Sequence, residues 1–125
     1  MNDLKLDFAI ICDNAFLDAN GKLNINGVFD TIKSTGFPAA HKNMSIVIKM
    51  KMPEGLYNEI VKIKRNGSDI VSTPETKIKK DKSGTHQFIH HFINTIFPEA
   101  GDYAVEIHIN GNLIETSKLI LEKIL

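Results

Sequence analysis

Apolar and polar residues alternate with a period of two along most of the chain, and this pattern is the strongest constraint on its fold. Near the start, for example, Leu6, Phe8 and Ile10 alternate with Asp7 and Ala9. Such alternation is typical of strands with one buried face, and no stretch of a dozen residues shows the apolar stripe of a helix. The pattern predicts about eight strands and a last one near the end, at roughly 4–13, 22–32, 44–52, 57–65, 68–73, 76–80, 86–97, 102–109 and 113–122.

Three Asn-Gly pairs separate these alternating segments, at Asn20-Gly21, Asn66-Gly67 and Asn110-Gly111. Asn-Gly is a strong signal for a tight hairpin, because both residues tolerate the positive φ that such turns require. A length of 125 residues fits one domain. Short strands joined by turns therefore predict an all-β fold, an antiparallel immunoglobulin-like β-sandwich that forms a single domain over residues 1–125.

Several stretches are similar to a known group of proteins. They are Leu6-Asp7-Phe8-Ala9-Ile10, Asn20-Gly21-Lys22-Leu23-Asn24-Ile25, Gly27-Val28-Phe29-Asp30-Thr31-Ile32, Phe37-Pro38-Ala39-Ala40-His41 and Phe97-Pro98-Glu99-Ala100-Gly101-Asp102-Tyr103. Together they resemble a family of small, uncharacterised bacterial β-sandwich proteins, a domain of unknown function. The resemblance implies the fold, and it implies neither an activity nor any functional residue.

The last of these stretches also resembles the tyrosine corner of immunoglobulin-like sandwiches. Tyr103 follows Gly101 by two residues, and in such a corner the tyrosine hydroxyl hydrogen-bonds back to the main chain. Val105 stands where an immunoglobulin domain would place its second disulfide cysteine. The resemblance therefore implies a structural tyrosine and excludes the disulfide form of that fold.

Composition excludes several classes of protein. Cys12 is the single cysteine, so an intrachain disulfide framework and a cysteine-only zinc site are both excluded. The first residues are acidic and precede an apolar run of only four residues, which predicts no secretory signal. No stretch approaches the length of a membrane span. We therefore expect a cytoplasmic protein without membrane contact.

The residues that could support catalysis or bind a metal do not fall into known patterns. His90 and His91 point to opposite faces of a strand, so only a cross-strand partner such as His108 could share an ion with one of them. No nucleophile elbow, phosphate-binding loop or dinucleotide fingerprint occurs. We expect no enzymatic activity, no catalytic residues, no metal and no cofactor.

The formal net charge of zero hides a basic middle. Residues 1–32 hold two Lys and five acids, residues 33–82 hold eleven Lys or Arg and five acids, and residues 83–125 hold two Lys and five acids. If the strands of the middle segment pair in a meander, six lysines share one face: Lys49, Lys51, Lys62, Lys64, Lys77 and Lys79. Like charges opposite each other destabilise a sheet, so such a row needs interleaved acids or an anionic partner.

Two interpretations of these lysines stay open. They either form a solvated face that also protects strand edges, or bind an anionic small molecule or an acidic protein surface. A nucleotide or a phosphorylated metabolite is the candidate ligand, which the protein would sequester. Sequence-specific binding of duplex DNA is not expected, since Arg65 is the single arginine and no recognition helix is predicted.

The predicted strand at 86–97 is apolar on both faces, and a sandwich needs only one. One face carries Phe88, His90, Phe92 and Ile96, which we predict to form an interface between subunits of a homo-oligomer. Residues 113–125 of the same chain are the alternative cover. The sequence thus predicts a non-enzymatic binding or assembly module, with binding of an anionic ligand as the alternative.

Overall fold

A computed structural model describes residues 3–125, and these residues form ten strands and no helix. The all-β prediction is confirmed, with one strand more than the nine predicted segments. The predicted segment 22–32 is two strands that belong to different sheets. The strands are β1 (Lys5–Leu17), β2 (Leu23–Val28), β3 (Thr31–Ser34), β4 (Ala39–Met52), β5 (Gly55–Arg65), β6 (Ser68–Ser72), β7 (Thr76–Lys80), β8 (Gly84–Phe97), β9 (Gly101–Ile109) and β10 (Asn112–Lys123).

The described residues fall into two compact units. The four-stranded unit contains residues 3–29, 41–55 and 80–94, and the six-stranded unit contains residues 30–40, 56–79 and 95–125. Each unit holds one sheet: β2-β1-β4-β8 in the first, and β3-β10-β9-β5-β6, with β7 also paired to β5, in the second.

The four-stranded sheet is apolar on both faces. Cross-strand partners share a face, so Ile10 lies beside Val47 on one face, and Ile11 lies beside Ile46 on the other. On the first face, which we call the Cys12 face, a small buried cluster is surrounded by partly buried side chains. The cluster is Cys12, Ala15 and Val47, and the surrounding residues are Phe8, Ile10, Leu23, Ile25 and Ile89.

The six-stranded sheet is mixed, which corrects the prediction of wholly antiparallel pairing. Strands β9 and β10 pair antiparallel, as do β5 and β9, whereas β3 runs parallel to β10 with Ile32 opposite Leu121. The pairing joins residues about ninety positions apart, and no local turn signal could announce it. Buried apolar side chains line one face of this sheet, among them Ile63, Val105, Ile107 and Leu119.

Two of the predicted Asn-Gly hairpins are present as expected. At Asn66-Gly67 and Asn110-Gly111 both residues of each pair have positive φ, between 51° and 81°, as a tight two-residue turn requires. The β1–β2 connection differs, because it is longer. There the Asp18 carboxylate accepts hydrogen bonds from the backbone N–H groups of Lys22 and Asn20, each at 2.9 Å.

The hydrogen bond from the Lys22 backbone, helped by the bonds from Asn20 and Asn24, lowers the pKa of Asp18. The carboxylate therefore stabilises the folded chain above the pKa of an unfolded aspartate, about 3.9, and this contribution is lost as the pH falls through the lowered folded value. We expect Asp18→Asn to be destabilising at neutral pH, and the difference from wild type to shrink below about pH 4. Urea unfolding across a pH series measures this; a difference that is independent of pH would contradict it, and Asp7→Asn is the control.

The chain reverses between β8 and β9 around a tyrosine. The Tyr103 hydroxyl donates to the Glu99 carbonyl at 2.6 Å and accepts from the Glu99 N–H at 3.2 Å. The Arg65 side chain lies over the Tyr103 ring and donates to the Glu99 carboxylate at 2.8 Å and to the Asp102 carbonyl at 3.0 Å. Its hydrogen bond to Glu99 raises the pKa of Arg65, so the guanidinium stays charged. The single arginine of the chain thus fastens this corner.

Candidate functional site

The six lysines do not share one sheet. Lys49 and Lys51 lie on β4 in the four-stranded sheet, whereas Lys62, Lys64, Lys77 and Lys79 lie on β5 and β7 in the six-stranded sheet. The predicted meander of these strands is therefore wrong, because β4 pairs with β1 and β8 instead of with β5. Only the pairing of β5 with β7 remains of it.

Acids accompany the lysines of the six-stranded sheet. The Lys64 ammonium lies 3.7 Å from carboxylate oxygens of both Asp69 and Glu106, and the Lys62 ammonium lies 4.0 Å from Asp69. Lys77 lies 3.9 Å from Glu75. Partly exposed pairs of this kind contribute little to stability, but they balance the charge of the surface. Three of these four lysines, Lys62, Lys64 and Lys77, therefore each lie near a carboxylate.

The two lysines on β4 have a different setting. Lys49 lies opposite Phe8 and Lys51 lies opposite Lys5 on β1, so two lysines occupy facing positions on the paired strands. Lys51 also lines a cavity of about 450 Å³ together with Asp3, Ser83 and Thr85. A carboxylate from the first described residues is thus near this end of the sheet.

The predicted interface on β8 is not one exposed face. Phe88 and Phe92 are buried within the chain, and the His90 ring stacks on Phe88 with ring centroids 6.3 Å apart. Ile96 is 53% exposed and lies on the other side of the strand, since Asn94 adopts a φ of +54° and interrupts the alternation. Phe88, His90, Phe92 and Ile96 therefore do not form one exposed face, and their role as a subunit interface stays a prediction.

The free edge of β8 is the feature that the sequence analysis missed. Strand β8 lies at the end of its sheet, is fourteen residues long, and contains no Asp, Glu, Lys, Arg or Pro. The other edge strands are short, and most carry charge: β3 has Lys33, β6 has Asp69, and β7 has three lysines, while the six residues of β2 include Gly27 with a φ of +71°. Proteins usually protect long edges with charge, proline or a bulge, and β8 has only the kink at Asn94 near its end.

The sequence contains a signal for this uncharged strand. Residues 83–98 are the longest stretch of the chain without an Asp, Glu, Lys or Arg. An apolar pattern on both faces of this segment concerns its side chains and does not show how its backbone pairs. Which strand of a sheet forms its edge depends on long-range pairing and cannot be deduced from the segment itself.

A serine and a histidine form a second site that sequence reasoning did not find. The Ser45 hydroxyl lies 2.9 Å from Nδ1 of His91, joining β4 and β8 on the Cys12 face. Beside them the Cys12 thiol donates weakly to the Ser45 carbonyl, and burial raises the pKa of this thiol, with the charge of Asp13 adding to the effect. The sequence signal for this site was Ser45 itself, a polar residue within the apolar run Met44-Ser45-Ile46-Val47-Ile48. His108, the cross-strand residue that a shared ion with His90 or His91 would have required, belongs to the other sheet and contacts Glu106.

Within residues 3–125, no group of three or more His, Cys, Asp or Glu side chains is placed to hold a metal ion. The same residues include no helix that could cross a membrane. The fold and these surfaces therefore define a two-sheet, all-β protein with a long edge strand, β8, that lacks Asp, Glu, Lys and Arg, and with a cavity beside Lys51. The sequence model of a family of unknown function, DUF6941, matches residues 7–122, and the chain belongs to that family. No curated protein matches the chain.

Proposed function

We propose that the protein is a non-enzymatic assembly module, and that two copies associate by antiparallel pairing of their β8 strands into one continuous sheet. The observation that carries this proposal is the fourteen-residue edge of β8 without a charged residue or proline. An edge strand offers a row of backbone N–H and C=O groups to an incoming strand. A homo-oligomer was also predicted from the sequence. Here its subunits associate through backbone hydrogen bonds of β8 instead of through a face of β8 side chains.

A second copy of β8 is the best-matched occupant of this edge. A two-fold axis places the same strand of each copy opposite the other. A charged side chain in β8 would therefore lie near the same charge from the second copy. The strand has none, and antiparallel pairing therefore brings no repulsion between Lys, Arg, Asp or Glu side chains. Ile93, which is 70% exposed on this strand, would lose water contact on pairing.

The test is the mass in solution. Wild-type protein is expected at twice the chain mass of 14.0 kDa. Ile93→Lys puts an ammonium group on the edge of each copy, and we expect it to raise the dissociation constant about tenfold or more. Analytical ultracentrifugation over a concentration series measures both.

Leu56→Lys is the matched control, because Leu56 is 73% exposed on β5 of the other sheet. It should leave the mass unchanged. A wild-type chain that remains monomeric at about 100 μM, where even a weak pair of this kind would be populated, contradicts the proposal. An equal loss of association in Leu56→Lys and Ile93→Lys contradicts it too.

We also propose that the chain is a single immunoglobulin-like sandwich domain and that it is cytoplasmic. An immunoglobulin-like sandwich in one domain is supported by two sheets with buried apolar faces and by a family match that spans both units. A cytoplasmic location is supported by the single cysteine. Sequestration of an anionic ligand is the weaker alternative, because acids balance Lys62 and Lys64 and the six lysines lie on two sheets.

A further inference from the structure

A cavity of about 400 Å³ opens on the four-stranded unit beside the Ser45–His91 pair. Its volume lies in the range of small-molecule sites. Strands β1, β4 and β8 each contribute polar side chains to its wall, and the apolar contribution comes mainly from β8. The lining residues are Asp13, Asn14, Asn43, Met44, Ser45, His91, Phe92 and Ile93.

A buried serine holds the His91 imidazole in the wall of this cavity. Ser45 is 1% exposed, and its hydroxyl engages Nδ1 of His91 at 2.9 Å. The contact engages Nδ1, so Nε2 is the ring nitrogen with which His91 would meet a ligand. A buried serine that fixes a partly solvated histidine is the kind of supporting contact that orients a binding group.

The carboxylate in the wall is also positioned by its neighbour. Asp13 lies against Gly27 on β2, where the backbone has a φ of +71°, and a Cβ atom built at this glycine would overlap the Asp13 carboxylate. Only glycine leaves room for the carboxylate in this place. The position of the Asp13 side chain therefore depends on the residue across the strand pair.

The charge of the cavity indicates the class of ligand. Asp13 is the one charged residue in the lining, and none of the lysines or arginine among residues 3–125 forms an ion pair with it. The amides of Asn14 and Asn43 can turn their oxygens toward a donor. A carboxylate without a cationic partner, beside amides that can accept hydrogen bonds, favours a cation that donates several hydrogen bonds.

We propose that this cavity binds a small organic ammonium ion, with its ammonium group on Asp13 and its carbon chain toward Ile93. The proposal does not depend on the pairing of β8 strands, since all of the polar groups come from one chain. Hydrogen bonds to charged groups are the stronger class, so removing the charge of Asp13 should weaken binding about tenfold or more.

The experiment is an NMR titration of the ¹⁵N-labelled full chain with ethanolamine and butylamine, and with ethylene glycol and butanol as uncharged counterparts. Amines are expected to shift the amide signals of Asp13, Ser45 and His91, at concentrations up to about 10 mM that suffice for a ligand of millimolar Kd. Absence of such shifts overturns the proposal. Equal shifts with the alcohols overturn it as well.

Three variants sharpen the result. Asp13→Asn keeps the shape of the wall and should abolish most of the binding, whereas Asp7→Asn removes a carboxylate from the same strand outside the cavity and should bind as wild type. Gly27→Ala keeps the charge but displaces it, so it should also weaken binding. Wild-type affinity in Asp13→Asn, or an equal loss in Asp7→Asn, shows only diffuse attraction to negative charge and overturns the site.

Discussion

Phe97→Ala is expected to lower the free energy of unfolding by about 3–5 kcal/mol, whereas Ile96→Ala, one residue away, should change it by less than about 1 kcal/mol. Phe97 is fully buried, and its ring meets the Tyr103 ring edge-on with centroids 5.2 Å apart. Ile96 is 53% exposed. Removing the buried ring leaves a cavity and breaks an aromatic pair, and removing the exposed side chain does neither.

The two variants together test the kink at Asn94. If β8 alternated without interruption, Ile96 would lie on the same side as the buried Phe88 and Phe92, and Phe97 would be the exposed residue. Urea denaturation of both variants, analysed with a common slope, measures the difference. A larger loss in Ile96→Ala than in Phe97→Ala would contradict the change of face at Asn94.

Features set by neighbouring residues could be predicted from the sequence. The period-two pattern predicted strands, and both residues of Asn66-Gly67 and Asn110-Gly111 adopt the positive φ that their side chains permit. The hydrogen bond of the Tyr103 hydroxyl to the backbone of Glu99 also joins residues close in the chain. In these cases the local energetic preference and the final structure agree.

Features set by long-range pairing could not be predicted. Nothing within β4 or β5 says that these consecutive strands join different sheets, and six lysines were therefore placed on one face. The segment 22–32 is one strand in the sequence-based prediction, yet β2 pairs with β1 and β3 pairs with β10. Period and turn chemistry specify which residues face the same way, and only the pairing of distant strands specifies which faces meet.

The candidate sites show the same division. The absence of charge in β8 could be read directly from residues 83–98, but its meaning depends on the position of β8 at the edge of a sheet. Ser45 and His91 are separated by 46 residues and become neighbours only because β4 and β8 pair. The Asp13 carboxylate could likewise not be placed without knowing that Gly27 lies beside it.

Gly101→Ala is expected to lower the free energy of unfolding by about 3 kcal/mol, the other large effect in this molecule. Gly101 has a φ of +134°, a backbone conformation that residues with a side chain rarely adopt. A Cβ atom here would also overlap the Arg65 guanidinium. That guanidinium cannot easily move aside, because Glu99 and the Asp102 carbonyl hold it over the Tyr103 ring.

Gly111→Ala is the matched control for backbone strain alone. Its φ is +81° and nothing lies within 4 Å of a Cβ atom built there, so a loss of only about 1 kcal/mol is expected. Measuring Gly101→Ala in an Arg65→Ala background then separates the two causes, since removing the guanidinium should reduce the loss and leave the strain. If Gly101→Ala is no worse than Gly111→Ala, or if Arg65→Ala does not reduce its effect, then Arg65 does not fasten the corner between β8 and β9 as described.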